Sequence, residues 1–428
     1  MRGGVPRARI CFGLLLCALS IPVATAAEAQ PVAASFGGEI RERYEWVRHA
    51  GWRRGEPASD GYFLQRLMLH AELRRERWRA FAELKSGLES GREAGPRATD
   101  QDDADVHQAF VEITAAEGRL GSVTMRAGRQ ELAFGSLRLI STREGPNVRL
   151  AFDGLRVSAE LSGWRVDGLA VHPVRTRPAA WDDDTDSGQS LWGLYVSRAD
   201  GMGGAIDFYY LGLDRRRGSF AQGTSEERRH SFGIRMGRKS GSWDSDIELV
   251  YQFGAFGQGR IRAWTVASDL GRRFPNLPGQ PRFGLKADVT SGDRNPADVD
   301  LQTFNPLFPR GAYFGESALV GPANHVDIHP SVTLTLNEAL KLQVDWARFW
   351  RQSRGDGLYG PAGNLQVGPG SARSRGVGQQ LETKLTWNVT DRLTLTADAA
   401  RFVGSKFLSQ RAGARNIDYA AIWATLTF

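Results

Sequence analysis

Polar and apolar residues change places at every second position through most of this chain. In one segment Trp243, Ile247, Leu249, Tyr251 and Phe253 alternate with Asp244, Asp246, Glu248 and Gln252. In another, Leu340, Leu342, Val344 and Trp346 alternate with Lys341, Gln343 and Asp345. A third sets Leu381, Leu385, Trp387 and Val389 against Gln380, Glu382, Lys384 and Asn388. A period of two belongs to the β-strand, whose successive side chains point to opposite faces. One or two such segments fit a soluble sandwich. Here they recur along the whole chain with aromatic residues near many segment ends, as in a transmembrane barrel whose strands face lipid on one side and water on the other.

The alternation predicts an all-β protein, an antiparallel barrel of about eighteen strands. They lie near 35–46, 63–75, 78–87, 106–115, 121–130, 150–161, 163–172, 189–199, 203–213, 229–238, 242–253, 260–271, 281–291, 324–336, 339–350, 376–389, 392–403 and 415–428. Long connections span 47–62, 88–105, 131–149, 173–188, 214–228, 292–323 and 351–375. Short ones fall at Glu76-Arg77, Ser162, Asp200–Met202, Lys239–Gly241, Asn337-Glu338 and Thr390-Asp391. Their near-regular alternation matches long extracellular loops and short periplasmic turns, and puts both ends of the barrel in the periplasm. Two connections break the pattern mildly: 254–259 is short for an outer loop and 272–280 is long for a turn.

The chain closes on NIDYAAIWATLTF, with Ala420, Ile422, Ala424, Leu426 and Phe428 on one parity and Tyr419 and Trp423 on the other. A closed barrel pairs such a last strand with the first, so no aggregation-prone edge remains. The terminal aromatic resembles the signal read by the outer-membrane assembly machinery, which is an expected partner along with the lipid bilayer.

At the other end, Arg2, Arg7 and Arg9 precede the apolar stretch CFGLLLCALSIPVA and the small residues of ATAAEAQ. This reads as a secretory signal peptide, residues 1–26, cut after Ala26 or Ala29. The apolar stretch is too short to span a bilayer, and Leu16 stands before Cys17 where a lipobox needs a small residue. Residues 27–428 then form a single barrel domain. Both cysteines, Cys11 and Cys17, fall in the removed segment. A disulfide scaffold, a thiolate enzyme and a Cys-zinc protein are thereby excluded. The net charge of +7 becomes about +4 without the leader, 52 basic residues against 48 acidic, which is no nucleic-acid signature. No later run is long and apolar enough for a membrane helix.

The polar strand faces are the candidate pore lining. Basic members are Arg41, Arg43, Arg66, Arg74, Arg79, Lys85, Arg126, Arg156, Arg165, Arg235, Arg262, Lys286, Lys341 and Lys384. The acidic members are Glu39, Glu72, Glu83, Glu112, Glu160, Asp167, Asp244, Asp246, Glu248, Asp288, Asp327, Asp345, Glu382 and Asp398, so the two sets nearly balance. Ion preference must then come from placement. The 131–149 loop and its borders carry Arg129, Arg138, Arg143 and Arg149 against Glu131 and Glu144 alone. Folded inward, this loop sets a positive field at a constriction and selects anions.

Other constellations carry less. Asp182, Asp184 and Asp186 at alternate positions resemble the start of a calcium loop, but Gly at its sixth position and an acid at its twelfth are missing. His325 and His329, four strand residues apart, lie roughly 13 Å from each other, too far to share a metal. No Ser-His-acid arrangement stands out, so no enzyme and no cofactor is expected.

Two stretches, RAGRQELAFGSLRLISTREGPNVRLAFDGLRV (126–157) and SGDRNPADVDLQTFNPLFPRGAYFGE (291–316), resemble the alginate-export family of outer-membrane porins. The first is similar to the family's G-R-Q strand end, basic loop and returning F-D-G strand. The second is similar to its S-G-D and F-N-P-L-F-P…Y-F-G-E segment. The resemblance implies an eighteen-stranded monomeric barrel and passive passage of an anionic oligo- or polysaccharide, or of small anions, through an arginine-rich pore. Exporters proper carry a long periplasmic loop near the C-terminus, where this chain has Thr390-Asp391. The alternatives are a general-diffusion or sugar-specific porin, and a plugged barrel acting as a surface receptor or adhesin.

Overall fold

The computed structural model describes residues 32–49, 51–52, 58–119, 121–199, 203–413 and 416–428. The signal peptide and the Asp200–Met202 turn lie outside the described residues. The strands are β1 (Ala33–Arg48), β2 (Ser59–Arg75), β3 (Trp78–Ser90), β4 (Asp102–Gly118), β5 (Gly121–Gln130), β6 (Phe152–Leu161) and β7 (Trp164–Arg175). Next come β8 (Asp184–Thr185), β9 (Gln189–Ala199), β10 (Ala205–Phe220), β11 (Gly223–Ser240), β12 (Trp243–Phe256), β13 (Gly259–Arg273) and β14 (Arg282–Thr290). The last are β15 (His325–Thr335), β16 (Leu340–Arg351), β17 (Leu358–Tyr359), β18 (Leu365–Val367), β19 (Gly376–Asn388), β20 (Leu393–Gly404) and β21 (Ile417–Thr427). Strands β8, β17 and β18 are short pieces of loops. The other eighteen pair antiparallel with their neighbours, and β1 against β21 closes the ring from Glu39↔Thr427 to Arg48↔Asp418. Each of the eighteen predicted strands has its counterpart.

Closure leaves no unpaired edge, and the period of two then sorts side chains into two environments. On β1, Phe36, Ile40 and Tyr44 face outward, while Arg41 and Arg43 are buried inside. The outward set forms the lipid belt, with Trp243, Phe283, Trp387 and Phe428 toward the periplasmic turns and Tyr44, Phe63, Tyr251 and Phe253 toward the loops. The two parities of β21 resolve in the same way. Ile422, Leu426 and Phe428 face lipid, whereas Ile417, Tyr419 and Ala421 are buried inside.

One predicted loop is a correction. Residues 214–228 are not a long loop: β10 and β11 continue upward and turn at Ala221-Gln222. The Arg215–Glu227 ion pair (2.5 Å) and the Thr224 to Ser219 hydroxyl bond (3.1 Å) hold this extension. Above the bilayer neither face needs to be apolar, so the alternation that marks a strand disappears although the ladder goes on.

The 131–151 and 291–324 connections fold into the barrel. They meet at a parallel bridge, Ile140↔Phe308, with the Phe308 N–H donating to the Leu139 carbonyl (2.8 Å) and the Ser141 N–H to the Phe308 carbonyl (3.0 Å). Leu132, Phe134, Leu139, Ile140, Phe304, Leu307 and Phe308 from these segments pack on Phe152, Leu191, Tyr195, Tyr209 and Val250 of the wall. Burying each of the three loop phenylalanines contributes about 2 kcal/mol, which favours keeping the segments inside. A second apolar cluster caps the opposite side, where helix α1 (Lys406–Arg411) sets Phe407 and Leu408 against Phe349, Val377 and Phe402.

Candidate permeation site

The glycines of the first recognised stretch act on the backbone. Gly128 and Gly154 face each other on β5 and β6 with φ of 127° and 150°. A Cβ on Gly128 would lie 2.2 Å from the Ala109 carbonyl, and one on Gly154 2.3 Å from that of Ala170. Only glycine allows the wall to bend there, just below the point where the 131–151 segment turns inward.

The second stretch builds the inner face of 291–324. Asn305 turns the chain at its tip: its Oδ1 accepts from the Leu307 N–H (2.9 Å) and its Nδ2 donates to Glu227 (3.0 Å). Gln252 on the wall bonds the Asn305 backbone on both sides, and Arg229, fully buried, donates to the Thr303 carbonyl (3.2 Å). Further on, the Tyr313 O–H donates to Asp288 (2.7 Å) while its oxygen accepts from Arg138 Nε (2.9 Å). Glu316 pairs with Lys384 (2.5 Å) and Arg43 (3.6 Å). Burial opposes ionisation of Glu316, but Lys384 and Arg43 hold its carboxyl below the usual range.

The two inward segments divide the interior unequally. On the side of β6 to β13 the packed apolar cluster fills the space. On the side of β1, β2 and β21 a cavity of about 690 Å³ remains, lined by Arg43, Glu45, Tyr62, Arg92, Arg143, Glu316 and Tyr419 among others. Nearly every charge around it is committed. Arg43 holds Glu45 (2.7 Å) and stacks over Trp423, and Tyr419 donates no charge but bonds Arg43 at 2.5 Å. Arg92 holds Asp100 (2.7 Å) and lies over the Tyr62 ring (3.5 Å). Arg41 and Arg66 converge on Glu144, and Arg66 also takes Glu39 (2.6 Å). Arg97 and Arg143 are the exceptions: both line the cavity and neither has a carboxylate ion pair among the described residues, Arg97 being exposed. Arg143 has a left-handed backbone (φ 57°) and is the enclosed one of the two. Enclosure by protein lowers its pKa to about 10, so it stays charged at neutral pH.

The arginines expected to act together are spread apart. Arg138 is on the filled side, bound to Asp246 (2.5 Å) and Glu248 (3.1 Å). Burial opposes its charge, but Tyr313, Glu248 and Asp246 together keep its pKa above the usual value. Arg129 holds Asp153 (2.9 Å) and Arg126 holds Glu112 (2.6 Å), both on the wall. Arg79 pairs with Glu72 (2.7 Å), and Arg156 and Arg165 share Asp167 (2.9 Å each). Lys341 has the inward parity but stands exposed at the periplasmic mouth. Arg262 is a correction: it is exposed on the outward parity of β13, with Val266 and Leu270, because Ile261 and Ala263 take the inward places. The three alternate aspartates also separate. Asp184 pairs with Arg175 and Arg177 (2.9 Å each), and Asp186 accepts from the Gly188 N–H (2.9 Å). Asp183, between Asp182 and Asp184, turns instead toward Asp102 and shares Lys85 with it (2.8 and 2.6 Å).

Arg92, Gln252 and Asn305 were not expected at the site. Arg92 lies in an irregular connection without period, and Gln252 reads as one more polar lumen residue. Asn305 stood within the recognised F-N-P-L-F-P run, which marked the segment but not the residue's task.

The sequence model described as alginate export matches residues 32–421. No curated protein sequence matches this chain. Among solved structures, OccK11 (OpdR) of Pseudomonas aeruginosa is similar with a TM-score of 0.61 at 14% identity, covering 92% of this chain and 96% of that one. A BenF-like porin from Pseudomonas fluorescens Pf-5 gives 0.63 at 10% identity, covering 92% and 98%. OccK2 (OpdF) of P. aeruginosa, solved in complex with glucuronate, gives 0.60 at 11% identity, covering 92% and 96%. At these identities the likeness is one of fold.

Proposed function

This chain belongs to the alginate export family and is a channel of the bacterial outer membrane, and from that premise we propose that it passes small anionic solutes of the uronate or short anionic oligosaccharide class. It does so passively, as a monomer without cofactor or catalytic activity, after cleavage of a leader at residues 1–26 and insertion by the outer-membrane assembly machinery. The observation that carries the reading is Arg143, an enclosed cation without a carboxylate partner on the wall of an interior cavity of about 690 Å³ that the exposed Arg97 also lines. Arg43, Arg66 and Arg92 are spent on Glu45, Asp100, Glu144 and Glu316, so the field in the cavity is set locally by Arg143 together with Arg97. A charge of this kind acts over about 8 Å at physiological salt, and packed apolar side chains occupy the filled side. The glucuronate held by the OccK2 barrel supports a carboxylate-bearing sugar as the solute class.

Planar-bilayer reversal potentials in a salt gradient test this. The parent should prefer chloride over potassium at low salt, and glucuronate should block its conductance. Arg143→Ser should move the channel toward non-selectivity, and high salt should do the same to the parent. A cation-selective parent would end the anionic reading in favour of a general or sugar porin. A barrel with no conductance would point to the plugged receptor.

A further inference from the structure

Where β14 meets β15, Asp288 and Asp327 are direct cross-strand partners, and both point inward. Like charges placed opposite each other on a sheet destabilise it unless something neutralises them. The neighbouring wall does not. Arg138 and Arg235 are already shared among Asp207, Asp246 and Glu248. Among the described residues no lysine or arginine pairs with Asp288 or Asp327. The one basic group on either is His325, whose Nε2 is 2.7 Å from Asp327 Oδ1.

We propose that Asp288, His325 and Asp327 form a binding site for a divalent transition-metal ion, zinc or a metal of similar ligand preference, in the lumen wall. One ligand atom from each of the three lies within 4.8 Å of the other two. All three residues are buried, at 2%, 2% and 3% exposure. Asp327 Oδ2 and His325 Nδ1 are buried without any hydrogen-bond partner, which is costly unless a ligand completes them.

The surroundings orient the donors as outer-shell partners orient metal ligands elsewhere. The Ser268 N–H donates to Asp288 Oδ1 (3.0 Å) and the Tyr313 O–H to Oδ2 (2.7 Å), leaving each oxygen a further lone pair. Phe314 packs edge-on to the His325 ring at 4.6 Å and fixes its plane. A void of about 10 Å³ borders Asp288 and Tyr313, with Arg138 and Glu248 also on its wall, and does not reach His325 or Asp327. One imidazole and two carboxylates suit zinc, while calcium prefers six to eight oxygens. The ion would supply the two positive charges this stretch of wall lacks.

The test uses the full barrel refolded in detergent, stripped with chelator and titrated with Zn²⁺ alone. One ion per chain should bind, and binding should weaken at least tenfold in His325→Gln and in Asp327→Asn, each checked for heat-modifiable migration as a folded barrel. A Co²⁺ titration of the parent reads the ligands without any variant, through the visible bands of an imidazole-carboxylate site. A folded parent that takes up neither ion overturns the proposal. Zinc binding that survives both substitutions, or calcium binding indifferent to His325→Gln, overturns it as well.

Discussion

Gln252 holds the backbone of Asn305 with both ends of its amide: Oε1 accepts from the Asn305 N–H at 3.0 Å and Nε2 donates to the Asn305 carbonyl at 2.7 Å. A strand side chain thus completes what a neighbouring strand would give, and pins the tip of a 34-residue inward segment (291–324) to the wall. Each such bond adds about 1 kcal/mol, and losing either partner leaves a buried group unmet. Gln252→Leu should therefore loosen the 291–324 segment while the barrel stays closed. Single-channel recordings should show larger and noisier conductance, with heat-modifiable migration unchanged. An unaltered conductance would mean that Phe304, Leu307 and Phe308 hold the segment without it.

Arg138 and Arg143 sit five residues apart and should behave in opposite ways. Arg138 is enclosed by Asp246, Glu248 and Tyr313 on the filled side. Removing it strands buried carboxylates, at a cost of about 3–5 kcal/mol. Arg138→Ser should lower the temperature of barrel unfolding while leaving ion selectivity near that of the parent. A selectivity change as large as that of Arg143→Ser, with unchanged thermal stability, would place Arg138 in the permeation path instead.

Burial lowers the Arg143 pKa from 12.5 to about 10. The sign follows directly. A base whose folded pKa is depressed is destabilising while charged, in full below about pH 10, and this penalty is relieved as pH rises from there toward 12.5. The charge that favours anions is itself lost around pH 10. Anion preference of the parent should fall as pH passes through about 10, and the curves for parent and Arg143→Ser should converge. Curves that stay parallel from pH 8 to 11 would assign the preference to other groups.

The barrel itself was legible because lipid imposes a two-residue rhythm that nothing else in a sequence imitates at such length. Where lipid stops, so does the rhythm, and β10 and β11 ran on through residues read as a loop. The site was legible only in part. Its loops were found by length and by their family-like stretches. Which arginine is left uncommitted depends on the partners that folding brings together, such as Glu144 with Arg41 and Arg66, and sequence spacing carries no trace of that. Arg262 shows the same limit: near the rim, polar residues occupy both parities, so parity alone no longer tells inside from outside.

Topology can be read with single cysteines, since residues 27–428 contain none. Glu338 is exposed in the turn between β15 and β16, and Ser371 is exposed in the connection before β19. Gly357 in that connection is buried and is a poor reporter. On intact cells a membrane-impermeant maleimide should label Ser371→Cys and not Glu338→Cys. The reverse pattern would turn the barrel over and place the inward loops at the periplasmic face.

Barrel closure ends on one residue. Phe428 exchanges two backbone hydrogen bonds with Gly38, N–H to carbonyl at 3.1 Å and carbonyl from N–H at 2.9 Å, and its ring lies outward in the lipid belt. The ring also covers Gly38, where a Cβ would come within 2.8 Å of it. The last aromatic thus does two things: it extends the β1–β21 ladder by a pair and anchors the seam at the membrane interface. Phe428→Asp should lower the yield of folded, heat-modifiable barrel severalfold, because a charge replaces an interfacial ring at the seam. Phe428→Tyr should restore it, since an aromatic ring with a polar tip suits the same depth. Equal yields for Asp, Tyr and the parent would show that the seam closes through its backbone ladder alone.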